Sequence, residues 1–455
     1  MNRRDLLAVI GMEALGASAL RGAKRPNLLY IVIDQLSGLA LPPNDPHARM
    51  PNCQGLAKSG VSFSHAYTAG VTCGPSRASL DSGLYTPGHR VVGGEGLPPS
   101  IESLPRTLSS HGYVLSHPNG YQLGADRADH EKWLLELGYE QPLSSIYGAE
   151  SLARYLDLPL KWKCGRTGLA PEHAYDAFCA HRTIRFLEAN RDRQFACFLQ
   201  LRGPHDPYMA PRPWDTLIDP SKVPLPPYRA GEFENKPQRQ RTSFETQGAA
   251  RMTDAQIRQI LALYYGMAAF SDHCAGTVLT RLRELGLEDN TVVILTADHG
   301  DTMGRHRLMS KDYGFYEHAM RIPMIIRAPG RRRGVVHSDP VSGVDVFPTL
   351  CDLLELPKPS GLHGQSLLSR WEGKEHDPER PIVAGQGIPG KNRAIMLRTP
   401  RYKFTHYDDG GGELYDLDRD PNELDNRIDR PEYADVQARL KRQLEDSEQR
   451  YSRRS

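Results

Sequence analysis

The sequence predicts an α/β fold: a large, mainly parallel sheet flanked by helices, then a smaller C-terminal antiparallel α+β subdomain. Three nearly continuous apolar runs, Asn27 to Ile33, Phe195 to Leu201 and Thr291 to Thr296, read as strands buried on both faces. Between the last two lies a helix signal, in which Thr253 and Gln256 form a capping box and Ile257, Ile260, Leu261 and Tyr264 recur at helical spacing. Strands alternating with helices imply parallel pairing, and in such sheets ligands bind beyond the carboxyl ends of the strands.

Taken in order, the chain opens with Arg3-Arg4 and a mostly apolar run from Leu6 to Leu20, broken by Gly11, Glu13 and Gly16. That run is too short to span a bilayer. Residues 1–22 read as a twin-arginine export signal, which would place the mature protein in the periplasm or outside the cell; a cytosolic N-terminus without a signal is the alternative. The first strand ends at Asp34-Gln35, the second at Gly203-Pro204-His205-Asp206, and the third at Asp298-His299-Gly300. Asp or His at one strand end is an ordinary turn residue. Three strands carrying ligand-type residues at one edge point to a site. The helix beginning near Thr253 continues through Val278, Leu282 and Leu285 and stops at Gly286. Ala210 to Thr246, rich in Pro, Arg and Glu, reads as a surface excursion over the active edge or a partly mobile loop. Past Arg370, Arg393 to Arg398 and Tyr402 to Tyr407 read as paired strands, and Tyr433, Val436, Leu440 and Leu444 mark a final amphipathic helix. The main domain is thus expected over 23–372 and the subdomain over 373–455.

Composition narrows the function. The 455 residues are 39% hydrophobic and 25% charged, with a formal net charge of only +2. Lys and Arg are dispersed and not interleaved with aromatics, which excludes a nucleic-acid interface. No later segment reads as a membrane span. Seven scattered cysteines with no C-x-x-C pair do not make a disulfide framework. Cys197 and Cys351 lie in apolar runs and read as core residues.

Cys73 differs. In Cys73-Gly74-Pro75-Ser76-Arg77, the proline suits a first helical turn, so the cysteine falls at a helix N-terminus, where free N–H groups favour negative charge. Arg77, one turn along, is expected to return its guanidinium towards Cys73. The residues alone leave two readings, a thiolate nucleophile or an anion-binding element.

The run Cys73 to Gly83, spaced C-x-P-S-R-x-x-L-x-x-G, resembles the signature of the sulfatase family. The likeness extends to Asn27–Gln35, to Pro204-His205-Asp206-Pro207-Tyr208, and to Asp298-His299-Gly300 with Gly304, His306, Leu308, Lys311, Tyr316-Glu317 and Arg321-Ile322-Pro323. It reaches Glu413-Leu414-Tyr415-Asp416-Leu417 and Asp420-Pro421, all in the expected order. The resemblance implies an alkaline-phosphatase-like fold and hydrolysis of a sulfate ester by Cys73 converted to formylglycine. It implies one divalent cation held by Asp34, Gln35, Asp298, His299 and modified Cys73; these donors suit Ca2+ first, with Mn2+ or Zn2+ admitted by the imidazole. Cys73, Arg77, His205 and Lys311 would be catalytic, Lys311 binding anionic oxygens and His205 serving the leaving group. His306 and Arg321 match family positions and read as structural as readily as functional. The implied partners are a formylglycine-generating maturation enzyme and a sulfated small molecule or carbohydrate.

One block departs from the family. Where the family has G-K-W-H-L-G, this chain has Asn119-Gly120-Tyr121-Gln122-Leu123-Gly124, so Gly120 replaces the anion-binding lysine and Gln122 the histidine. Glutamine does not titrate and takes no proton. Three readings follow: a sulfatase using another base, such as His117 or His130; a phosphonate monoester or phosphodiester hydrolase of the same superfamily; or a metal-binding homologue without turnover.

Overall fold

The computed structural model describes residues 25–117, 127–139, 153–154, 164–246, 252–311, 314–374, 376–389 and 391–452. The export segment expected over 1–22 lies outside them. Seven strands form the main sheet: β1 (Asn27–Ile33), β2 (Val61–Phe63), β3 (Val114–Leu115), β4 (Phe195–Leu201), β5 (Thr291–Thr296), β6 (Met324–Arg327) and β7 (Val335–His337). Their order is β7-β2-β6-β5-β1-β4-β3. The pairs β5/β1, β1/β4, β4/β3 and β7/β2 are parallel, and β6 runs antiparallel to β5 and β2.

Every residue of β1 is buried. Successive side chains point to opposite faces of a sheet, so both faces at β1 are covered. That is why its sequence is a run of apolar residues rather than an alternation. Five helices matter to the site and its surroundings: α1 (Cys73–Ser82), α2 (Arg127–Glu136), α3 (Tyr175–Asn190), α4 (Asp254–Glu284) and α5 (Ala434–Ser452). The expected capping box is present at the start of α4, with Thr253 and Gln256 bonding reciprocally. Gly286, just past its end, has φ +69°, the left-handed conformation that glycine adopts without strain.

Four antiparallel strands, β8 (Ile382–Ile388), β9 (Lys391–Arg398), β10 (Tyr402–Tyr407) and β11 (Gly412–Asp416), form the C-terminal sheet. Its apolar side shares a core with Tyr67, Val71, Phe315 and Met320. Leu440 and Leu444 of α5 are buried against it.

The segment between Ala210 and Thr246 differs from its expected form. It is built of short 3-10 turns and a helix, Gln238–Thr246, and it is anchored. Glu232, Phe233, Lys236 and Gln240 are buried. The Lys236 ammonium donates to the Tyr316 hydroxyl at 2.9 Å and to the Glu423 carbonyl at 3.0 Å. A buried ammonium stays in place only where such acceptors replace water. No helix among the described residues is long and apolar enough to cross a membrane.

Candidate active site

The sheet register assembles the site. Val32 on β1 pairs with Thr296 on β5. Two residues further along each strand stand Asp34 and Asp298, a strand spacing apart beyond the carboxyl edge. The Gln35 N–H donates to Asp298 Oδ1 at 3.2 Å, fixing the turn in which Gln35 takes φ +64°. A non-glycine residue in that region is strained, and such strain is characteristic of functional turns. From β4, the Asp34 N–H reaches the Leu201 carbonyl at 2.9 Å, and His205 follows in the next turn.

Helix α1 brings Cys73 to the same place. It begins at Cys73 and ends at Gly83, which has φ +67°. A Cβ on Gly74 would stand 1.6 Å from the Gly93 carbonyl oxygen, so only glycine lets the 91–95 loop lie across the helix start. Gly74→Ala is expected to cost about 1–3 kcal/mol in chemical denaturation and to lower activity by displacing Cys73.

Cys73 Sγ lies 3.2 Å from His299 Nε2, 3.5 Å from Lys311 Nζ and 4.0 Å from Asp34 Oδ1. Donor atoms of Asp34, Cys73, Asp298 and His299 all fall within 4.8 Å of one another. His299 Nδ1 bonds the Gly300 carbonyl at 2.9 Å, so it carries the proton and the Nε2 lone pair faces the cluster. Burial pushes the imidazole down to about 4, aided by Lys311 and opposed by the two aspartates, so it is neutral at neutral pH. Two carboxylates and a neutral imidazole suit one divalent cation, and the Gln35 amide oxygen is close by. Burial raises the Asp298 carboxyl, but His299, Arg77 and Lys311 outweigh it and hold the group below the usual carboxylate range. The Cys73 thiol is pushed well up by burial and by Asp34 and Asp298, so the bare side chain is a thiol. All seven cysteines are free, and Cys73 alone is not fully buried.

Arg77 does not take its expected direction. Its guanidinium donates to Asp298 Oδ2 at 2.8 Å, Asp34 Oδ2 at 3.1 Å and Gln200 Oε1 at 3.0 Å. Buried carboxylates at two strand ends attract a fork-shaped cation more strongly than a thiol does. Arg77 is therefore a positioning residue for the two aspartates.

Lys311 Nζ donates to Gln35 Oε1 and to His205 Nε2, each at 2.7 Å. Burial lowers the ammonium, but Cys73, Asp34, Asp298 and Asp206 more than compensate, so it stays charged. His205 Nδ1 bonds the Asp206 carbonyl at 2.6 Å, which makes Nε2 an acceptor in this arrangement.

A further layer was not read from the sequence. Asp301, fully buried, accepts from Gln35 Nε2 at 2.7 Å, the Tyr208 hydroxyl at 2.8 Å, and the Met303 and Ser310 N–H groups at 2.7 and 2.9 Å. Asp206 accepts from the Ser310 hydroxyl at 2.9 Å. Together they orient the Gln35 amide with its oxygen towards Lys311. The Asp301 position, directly after Asp298-His299-Gly300, was the only signal available.

Gly120 and Gln122 lie outside the described residues. His130, one proposed substitute base, is buried against the Phe178 ring, with Nε2 bonded to the His173 carbonyl at 2.8 Å. It packs α2 onto α3. His117 follows the edge strand β3. His306 is buried, stacked on Tyr316 with ring centroids 4.0 Å apart, and Arg321 donates to the Ser64 carbonyl.

A family model described as Sulfatase matches residues 26–356, and one described as N-sulphoglucosamine sulphohydrolase, C-terminal, matches 304–450. The chain is 28% identical to the bovine (Bos taurus) protein named Arylsulfatase K, over 92% of this chain and 83% of that protein. It superposes on a phosphonate monoester hydrolase from Silicibacter pomeroyi with TM-score 0.83 and 24% identity, over 94% of this chain and 96% of that one. A protein solved with its substrate D-glucosamine-2-N,6-O-disulfate aligns with TM-score 0.74 and 20% identity, over 94% of this chain and 98% of that one. Since the first model runs from the start of β1 past Lys311 and takes in every strand end that supplies the cluster, the chain belongs to the sulfatase family, hydrolases of sulfuric esters.

Proposed function

We propose that this chain cleaves a sulfate ester with formylglycine made from Cys73 and with one divalent cation, Ca2+ first, held by Asp34, Asp298, His299, Gln35 and the modified Cys73. The observation that carries this reading is the meeting of Cys73 Sγ with the His299 lone pair and the Lys311 ammonium beside two buried carboxylates. Formylglycine supplies, as its hydrate, an oxygen nucleophile, and the cation supplies Lewis acidity at the ester oxygens. Lys311 binds the sulfate oxygens and offsets charge developing on them. His205 Nε2, which faces Lys311, is placed to hydrogen-bond the ester's bridging oxygen and to protonate the departing oxygen. Arg77 holds Asp34 and Asp298 in place, and Asp301 keeps the Gln35 oxygen turned inwards. An exported chain, divided near residue 372, acting on a sulfated small molecule or carbohydrate after a maturation enzyme has converted Cys73, completes the proposal.

Gly120 and Gln122 favour a second reading, a phosphonate monoester or phosphodiester hydrolase built on the same cluster. The test pairs peptide mass spectrometry at Cys73 with a panel of aryl sulfates, phosphodiesters and phosphonates. Conversion lowers the peptide mass by roughly 18 Da; an unmodified thiol in fully active protein overturns the formylglycine mechanism. With an aryl sulfate, the loss of the titrating residue at 122 predicts a burst of phenol followed by slower steady turnover. Gly120→Lys with Gln122→His should preserve or raise sulfate turnover in a sulfatase and obstruct a phosphonate-shaped pocket.

The Gln35 orientation has its own test. In Asp301→Asn, an NH2 group replaces the oxygen to which Gln35 and Tyr208 donate, so the Gln35 amide must turn its own NH2 towards Lys311. Metal affinity, measured by calorimetry, is expected to fall about 10- to 100-fold. Adding Gln35→Glu restores an acceptor at both ends and should recover much of that loss. Wild-type affinity in Asp301→Asn would show that the amide needs no such support.

A further inference from the structure

We propose that the cleft beside His205 receives the organic part of the substrate, and that it takes a ring with apolar faces carrying a second anionic group. This deepens, and rests on, the sulfate-ester reading above. The cleft is open to solvent on one side and holds about 590 Å3 of empty space with its mouth included. Pro207, Met209, Met267 and Phe270 give it largely apolar walls. His205 is a wall of this cleft and also touches Lys311 at the reacting end. His205 thus joins the cleft to the reacting end, and the proposal assigns the cleft to the group bonded to the ester oxygen held there.

Arg202 supplies the charge. It also lines the cleft, and among the described residues its guanidinium makes one hydrogen bond, to the Asp206 carbonyl at 3.0 Å. The carboxylate that shares the cleft, Asp176, is already engaged. Its Oδ1 accepts from the Arg202 N–H at 2.7 Å, and its Oδ2 from the Gly203 N–H at 3.2 Å and the Ser271 hydroxyl at 2.6 Å. Arg202 thus keeps N–H donors for a ligand anion, in the fork geometry that suits a carboxylate or sulfonate. A neutral polyol would press its hydroxyls against methionine and phenylalanine without partners. A cationic ring would meet Arg202 with like charge. An anion-bearing ring with apolar faces satisfies both parts of the cleft.

The test measures leaving-group analogues directly, by calorimetry on the full chain, and needs no turnover. The probes are phenol, 3- and 4-hydroxybenzoate, 4-hydroxybenzenesulfonate and tyramine. The acids are expected to bind about 10-fold or more tighter than phenol, as a charge-assisted pair implies, and tyramine more weakly; the two acid types tell carboxylate from sulfonate. Arg202→Met should bring the acid-to-phenol ratio near one, and Arg202→Lys should keep part of it. Met209→Ala should weaken phenol and acids alike. Equal binding of acid and phenol, a ratio retained in Arg202→Met, or no measurable binding of any probe overturns the proposal. The expected ratios without turnover of any sulfate ester would instead count against the sulfate-ester reading and leave the cleft assignment standing.

Discussion

Replacing Cys73 by alanine is expected to lower kcat/KM for an aryl sulfate by about 10,000-fold or more, the scale seen when a nucleophile is removed from residues acting as a unit. The fold should survive, because Cys73 is the first residue of α1 and its side chain fills no core. Metal binding should weaken less than activity, since Asp34, Asp298 and His299 remain. Cys73→Ser sharpens the result. A chain that needs the converted side chain loses steady turnover with serine as it does with alanine, whereas one that needs only a hydroxyl does not. Steady-state kinetics, calorimetric metal titration and intact mass of the three proteins decide between them.

Asp298→Ala is expected to abolish metal binding and activity and also to destabilise the protein by about 3–5 kcal/mol, the cost of breaking a buried ion pair. Arg77 would keep Asp34 and Gln200 but lose the partner of its Nε. The Gln35 and His299 N–H groups would lose their shared acceptor, Asp298 Oδ1. Asp298→Asn separates the effects: the amide oxygen can still accept both N–H groups, so stability should fall less while the anionic ligand is gone. Elemental analysis and urea unfolding measure the two separately. Wild-type metal content in Asp298→Ala would remove this residue from the ligand set.

Much of the fold was legible in the sequence because its signals are local. Strands β1, β4 and β5 begin and end where the apolar runs do, since strands buried on both faces leave few polar positions inside them, Gln200 of β4 being one. The capping box set the start of α4 for a similar reason, its two partners standing three residues apart. Asp34, His205 and Asp298 were readable as a group because parallel strands deliver their carboxyl ends to one edge. Lys311, by contrast, entered only through the family likeness, as it sits on a loop whose path no periodicity encodes.

Pattern and motif order by themselves determined the fold class, the elements and the identity of most residues in the cluster. The tertiary structure alone decided whom each side chain serves. Helical spacing pointed Arg77 at Cys73, yet its strongest partner is Asp298, 221 positions away in sequence. Lys236 made a seemingly loose segment an anchored one by finding Tyr316 and Glu423. Asp301 turns the Gln35 amide across 266 positions. The physical reason is common to all three. A buried charge or amide must replace the water it loses, and which group replaces it depends on strand order and on the packing of distant segments, neither of which a local pattern specifies.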